Sequence, residues 1–179
     1  MADFSKSLLI PARAISSVEE KMVRDSLSSR LLDLLLKSGK IVNLGDGVVR
    51  EALPNTDFAL AAQDFITGAL VINTEATYIN VALAANKYLG IYFVANLVAA
   101  PVITVIHFRT GAGGASTKAS VMPQKLWAEM EPVGYLTQPI IYVPNETVFI
   151  RVVPNAASAG ERLFIGALVA EPRGETVSF

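Results

Sequence analysis

The sequence predicts an all-β protein, a jelly-roll-like antiparallel β-sandwich of about eight strands preceded by an N-terminal α-helical arm. Three observations carry that expectation. Mixed charge is frequent before Asp57, yet from Phe58 to His107 only Asp64, Glu75 and Lys87 are charged. Beyond that point apolar runs rich in Val, Ile, Tyr and Phe recur, several with the two-residue alternation of a half-buried strand. The runs are joined by short turns, a pattern that suits a sandwich and not a βα repeat. The chain therefore divides into an arm, 1–57, and a sandwich domain, 58–179.

Within the arm, Ser17-Val18-Glu19-Glu20 reads as a capping box, with the serine hydroxyl accepting from the amide three residues on and Glu20 reaching back. Val23, Leu27, Leu31, Leu34 and Leu35 follow at spacings of three and four, which places them in one stripe. Lys37 suits the last turn and Gly39 a left-handed cap, so the helix is expected over Val18 to Ser38. The opposite face carries Glu20, Lys21, Arg24, Asp25, Ser28 and Asp33. The plainer reading of the stripe is packing on the sheet of the same subunit, and the functional one is docking on a neighbour. Lys40 to Leu44 and Val48 to Leu53 flank Gly45-Asp46-Gly47 as a short hairpin. Leu53 to Asp57 reads as the turn and boundary, and Phe58 to Gln63 as a short helix.

The strands are expected at Phe65–Ile72, Thr77–Leu83, Tyr88–Ala95, Val102–Thr110, Ala119–Met122, Gly134–Val143, Thr147–Val153 and Arg162–Ala170. Val102, Thr104, Ile106 and Phe108 would share one face, with Ile103, Val105, His107 and Arg109 on the other. Pro139 marks an edge or a bulge. Leu126 and Trp127 make Pro123–Met130 a turn or two of helix.

Composition narrows function. The apolar share is 52% and the charged share 17%, against roughly 45–50% and 25% for an average domain. A body with so little polar surface is covered by partners or lies in a membrane. The net charge of −1 gives no pull on nucleic acid and no self-repulsion against association. With no cysteine, disulfides, thiolate nucleophiles and cysteine-based zinc sites are excluded. Met1 to Lys6 does not read as a signal peptide, because Leu8-Leu9-Ile10 is short and Pro11 ends it. Tyr88 to Ile106 is uncharged and long enough to span a bilayer. Asn96, Pro101 and the β-branched content favour two buried strands there instead.

No motif states a reaction. Gly111 to Lys118 lacks the glycine before the lysine and the hydroxyl after it that a phosphate loop needs, and Ser116 replaces the third glycine of a dinucleotide fingerprint. It reads as a flexible surface loop. His107 is the only histidine, so a His–Ser–Asp triad or a one-histidine metal site would have to use it. Arg109 on the same face discourages a metal. Glu129 and Glu131 beside Trp127 are a weak signal for glycoside hydrolysis. Trp127, Tyr135 and Tyr142 read as core or interface anchors before a sugar platform. Asn145-Glu146-Thr147 is a formal glycosylation sequon. The reading names no catalytic residue, cofactor or metal.

Tyr88-Leu89-Gly90-Ile91-Tyr92, Glu131-Pro132-Val133-Gly134-Tyr135, Tyr142-Val143-Pro144-Asn145-Glu146 and Glu171-Pro172-Arg173-Gly174 give the chain a style from Phe65 onward. In that style it resembles the virion structural proteins of tailed or membrane-containing bacteriophages, nearest a single jelly-roll capsid or capsid-decoration protein. The resemblance implies a non-enzymatic shell protein, assembled in the host cytoplasm and resident in the virion. Its partners would be copies of itself, most plausibly as a trimer, and other capsid proteins, with no nucleic acid or small-molecule substrate. Val23, Leu27, Leu31, Leu34, Leu35, Trp127 and Tyr135 would form the assembly interface. Truncation before Ser38 would leave the sandwich folded and impair assembly. Two alternatives stay open: a jelly-roll carbohydrate or receptor-binding module using the Gly111–Lys118 and Pro154–Gly160 loops, and a membrane protein spanning at 88–106.

Overall fold

The computed structural model describes residues 9–61 and 63–174. The expectations for Met1 to Lys6, for Ala62 and for Glu175 lie outside the described residues. The elements in chain order are β1 (Leu9–Pro11), α1 (Ser17–Lys37), β2 (Gly47–Glu51), α2 (Pro54–Asp57), β3 (Ala76–Ala82), β4 (Tyr88–Asn96), β5 (Ile103–Thr110), β6 (Ser116–Val121), α3 (Gln124–Ala128), β7 (Val133–Tyr142), β8 (Thr147–Pro154) and β9 (Leu163–Pro172).

The strands form two antiparallel sheets, ordered β1-β7-β4-β9-β2 and β3-β8-β5-β6. The pairings are nested. β5 pairs β6, β4 pairs β7, β3 pairs β8 and β2 pairs β9, like the rungs of one long hairpin. The further ladders β4–β9 and β5–β8 join those rungs into the two sheets. Leu89, Ile91, Val94, Ile165 and Val169 of the larger sheet share one core with Ile79, Ile106, Phe108, Ile150 and Val152 of the smaller. With side chains taken up in this way, no disulfide is required to hold a chain of this size.

A second core lies on the outer face of the larger sheet, under α1. Leu27, Leu31 and Leu35 are buried there against Tyr88, Tyr92, Tyr135, Leu168 and Ala170. Gly90 permits the close approach, since a Cβ at that position would stand 2.8 Å from a Leu27 methyl. β4 is therefore covered on both faces, which explains why it reads as a nearly continuous apolar run. Val23 and Leu34 pack at the margin of the same cluster.

Several expectations need correction. The capping box is one residue earlier: the Glu19 N–H donates to Ser16 Oγ at 3.2 Å, and the Ser16 N–H donates to the Glu19 carboxylate at 2.8 Å. Ser16 and Ser17 both stand three residues before a glutamate, so sequence alone offers two overlapping boxes. The 40–53 hairpin does not form. Its second arm becomes β2 and pairs β9 over Gly47↔Pro172 to Glu51↔Leu168, while residues 44–46 close a 3-10 turn on Asn43 through the Asp46 carboxylate. The helix expected at Phe58–Gln63 lies at Pro54–Asp57 instead. Phe65–Ile72 is no strand. It makes only single bridges, Ile66 to Arg162 and Leu70 to Ser158, and sends Phe65 and Leu70 inward as anchors.

Bulges reset the strand faces. β5 shifts register between Ile103 and Val105, so Ile103 joins Ile106 and Phe108 in the core, contrary to the regular alternation. β3 shifts between Thr77 and Ile79, which turns both Tyr78 and Ile79 inward.

The expected boundary at residues 53–57 carries a buried ion cluster. Arg50 grips Asp57 with two bonds of 2.6 and 2.9 Å and reaches Glu171 at 2.9 Å. Lys87 Nζ lies 3.0 Å from Glu171 Oε2, off the hydrogen-bonding direction, and 3.4 Å from Asp57. Two cations and two carboxylates thus tie β2 and α2 to the start of β4 and the end of β9.

Candidate functional site

Antiparallel pairing fixes where the connections lie. The links β2–β3, β4–β5, β6–β7 and β8–β9 all emerge at one end of the two-sheet body, and β3–β4, β5–β6 and β7–β8 at the other. The first end is built around Glu161, which is 2% exposed. Its Oε2 accepts from the Asn96 side-chain amide and its Oε1 from the Val102 N–H, both at 2.6 Å. Its backbone N–H donates to Thr67 Oγ1 at 2.8 Å, and the Thr67 N–H donates to the Glu161 carbonyl at 2.9 Å. One acidic residue therefore fastens the β2–β3, β4–β5 and β8–β9 connections together. The Asn96 N–H donates to the Pro132 carbonyl and brings in the β6–β7 connection.

Rigid loops hold apolar side chains in water at this end. Ile66, Val71, Ile72, Leu97, Met122 and Met130 are exposed here, whereas among the described residues the opposite end exposes Val143 and, in the connection from α1 to β2, Val42 and Leu44. Met130 is 93% exposed and sits at φ +59°, just past the end of α3. A side chain in that left-handed conformation costs about 1 kcal/mol relative to glycine. The fold thus keeps an apolar side chain in solvent at a position where glycine would be the unstrained choice. Beside it an open cleft of about 250 Å³ runs between Val98, Pro101, Trp127, Met130, Glu131 and Pro132.

The residues expected to form an assembly interface do not share a surface. Leu27, Leu31 and Leu35 are covered by their own sheet, and Tyr135 lies in the same cluster. Burial, with the Glu20 carboxylate beside it, pushes the Tyr135 phenol up. Trp127 belongs to the inner core, 8% exposed, and its indole N–H has no partner there. Tyr142 is fully buried and donates to the Arg109 carbonyl. Glu129 and Glu131 both face Arg13, which pairs with Glu129 and lies 3.8 Å from Glu131, so one cation offsets half of this carboxylate pair's charge.

A second polar group occupies the outer side of the smaller sheet. His107 Nδ1 is 2.7 Å from Ser120 Oγ, and its Nε2 is 3.9 Å from Glu75. This places a serine, a histidine and a carboxylate in line, and sequence reading found neither Ser120 nor Glu75. The carboxylate is engaged elsewhere, since Arg109 and Arg151 each donate to it at 2.6 Å. Burial lowers the His107 pKa, Arg109 and Arg151 lower it further, and Glu75 opposes them. The imidazole is thereby a weaker proton acceptor, and the carboxylate that would orient it is already held by the two arginines. Among the described residues no group of three or more His, Asp or Glu is placed to hold a metal.

The Gly111–Lys118 segment is no loop throughout: residues 111–115 make a tight β5–β6 turn, with Gly111, Gly113 and Gly114 at positive φ, and Ser116–Lys118 begin β6. Lys118 donates to the Ile141 carbonyl and pairs with Glu146 at 2.8 Å. It lies at the opposite end from Pro154–Gly160, so the two loops proposed for a binding head do not converge. Residues 88–106 form β4, a loop and the start of β5, and no helix among the described residues is long and apolar enough to cross a membrane. No protein-family model matches the chain, and no curated protein is significantly similar to it.

Proposed function

We propose that the chain is a non-enzymatic structural subunit of a viral shell, of the bacteriophage kind, built on a jelly roll and self-associating through its loop end. The observation that carries this reading is the set of six exposed apolar side chains at one end of the body, held there by the Glu161 hub. Apolar surface gathered on rigid loops is what an obligate interface offers, and it is a liability for a solitary molecule. The nested pairing supports the jelly-roll topology, because rolling one long hairpin brings its rungs together as two Greek-key sheets. The stripe of α1 is engaged within the chain, so the helix seals the outer face and the loop end makes the contact.

Three copies around an axis would bury Leu97, Met122 and Met130 against one another, giving a trimer to which other capsid proteins add. Light scattering after size exclusion tests this directly. The wild-type chain should run as a trimer or a larger particle, and Leu97→Ser/Met130→Ser should lower its mass below that of a trimer with circular dichroism unchanged. A wild-type chain of single mass at high concentration, or a double variant that keeps its mass, overturns the reading.

A further inference from the structure

Each sheet ends in two edge strands, and three of the four edges are guarded. β1 has three residues and ends in Pro11. β2 carries Arg50 and Glu51, and Arg24 of α1 pairs with Glu51 across it at 2.7 Å. β6 carries Lys118, whose side chain crosses to the other sheet and bonds the Ile141 carbonyl. Short strands, charges and prolines are the usual means of keeping an edge from pairing. β3 has none of these three: it runs seven residues, Ala76–Ala82, without a charge or a proline, and its one guard is the bulge between Thr77 and Ile79, which leaves Ile79–Ala82 open. Its inner side is closed by Tyr78, whose hydroxyl donates to the Leu163 carbonyl at 2.7 Å. Among the described residues β3 pairs only β8, so its other backbone edge has no ladder partner.

We propose that β3 pairs antiparallel with β3 of a second copy, joining two four-stranded sheets across a two-fold axis. This rests on the assembly reading above and adds a second contact to it. A strand paired antiparallel with itself is self-complementary by symmetry. An uncharged strand meets its copy without like charges opposed, and the exposed residues Thr77, Asn80 and Ala82 are small or polar and uncharged. The bulge at Tyr78 confines the regular pairing to Ile79–Ala82. Loop-end contacts around one axis and β3 contacts around another give each copy two different neighbours. That is the minimum for continuing a shell in two dimensions.

Hydrogen–deuterium exchange on the full chain across a concentration series, with light scattering on the same samples, tests the contact. Those amides of residues 79–82 that point away from β8 should slow by about tenfold or more as particles form, equivalent to about 1.4 kcal/mol of added protection. Asn80→Lys/Ala82→Lys sets like charges against each other across the two-fold. It should abolish that protection and stop growth at the loop-end oligomer while circular dichroism is unchanged. If mass grows with no added protection at residues 79–82, or the lysine variant forms the same particles, the β3 contact is overturned and the loop-end reading stands. If Leu97→Ser/Met130→Ser leaves the particle mass unchanged while β3 protection persists, the loop-end reading falls and the β3 contact stands. A wild-type chain that stays single at every concentration overturns both.

Discussion

The Asn96 side-chain amide donates to the Glu161 carboxylate at 2.6 Å, and both residues are buried, at 1% and 2% exposure. The bond joins residues 65 positions apart and fixes the β4–β5 connection against the β8–β9 connection. Replacing Glu161 with glutamine leaves one accepting oxygen and sets an amide donor against the other of the two donors, Asn96 and Val102. Glu161→Gln should therefore destabilise the chain by about 1–3 kcal/mol, the penalty for a buried polar group left unpaired. Urea unfolding with an unchanged slope would measure it, and a shift under 0.5 kcal/mol would remove Glu161 from its organising role.

Asp57 gives the acid sensitivity. Burial alone would raise its carboxyl, but the Arg50 hydrogen bonds, the Leu53 N–H and the charges of Arg50 and Lys87 outweigh that and hold it below the ordinary carboxylate range. A carboxyl lowered in the folded state stabilises above its unfolded pKa, near 4, and that contribution is lost as pH falls through the folded value. Asp57→Asn should cost about 3–5 kcal/mol at pH 7, because Arg50 and Lys87 lose a partner. The variant's urea midpoint should then fall less than that of the wild type between pH 5 and 3, roughly the window set by these pKa values.

His107 is the only histidine, so one imidazole resonance reports the outer polar group. Burial first, then Arg109, lower its pKa, so proton NMR should give a midpoint below 6.5. A base lowered in the fold is disfavoured when protonated, so stability falls as pH drops below 6.5 toward the folded value. Arg109→Met should move the midpoint upward. A wild-type midpoint above 6.5 would mean that Glu75 outweighs burial and the arginines.

The helix separates two kinds of apolar residue. Leu31 is fully buried under α1, and Leu31→Ala should cost about 2–5 kcal/mol. Met22 on the same helix is 65% exposed, and Met22→Ser should change stability by less than about 0.5 kcal/mol. Removing residues 1–38 uncovers Tyr88, Tyr92, Tyr135 and Leu168, so the truncated chain should aggregate and not persist as a folded body. That replaces the expectation of a separable arm, and solubility on expression checks it.

Much of the fold was legible where local chemistry and burial agree. β4, β8 and β9 lie within a residue or two of their expected bounds because apolar runs between turn residues have few other uses. The short helix holding Leu126 and Trp127 was also legible. Phe65–Ile72 misled because an apolar run has the same composition whether it pairs or anchors a loop. The bulges in β3 and β5 leave no mark on a single sequence, yet each moves a side chain to the other face. The loop end was not legible at all. Leu97 and Met130 look like core residues in composition, and only the packing of four distant connections leaves them in water. Glu161 stands 94 residues from Thr67, and no local pattern announces that bond.

Among the described residues β2 has a single ladder partner, β9. β2 thus waits on a strand far along the chain, and the Arg50–Asp57–Lys87–Glu171 cluster cannot close without Glu171, 121 residues beyond Arg50. Folding is governed by that late, long-range closure and not by local zipping. A partly synthesised chain lacks the ledge on which α1 lies and also lacks Glu161, so its loop end has no fixed shape. Shape at the loop end is therefore a property of the whole fold and not of any one connection.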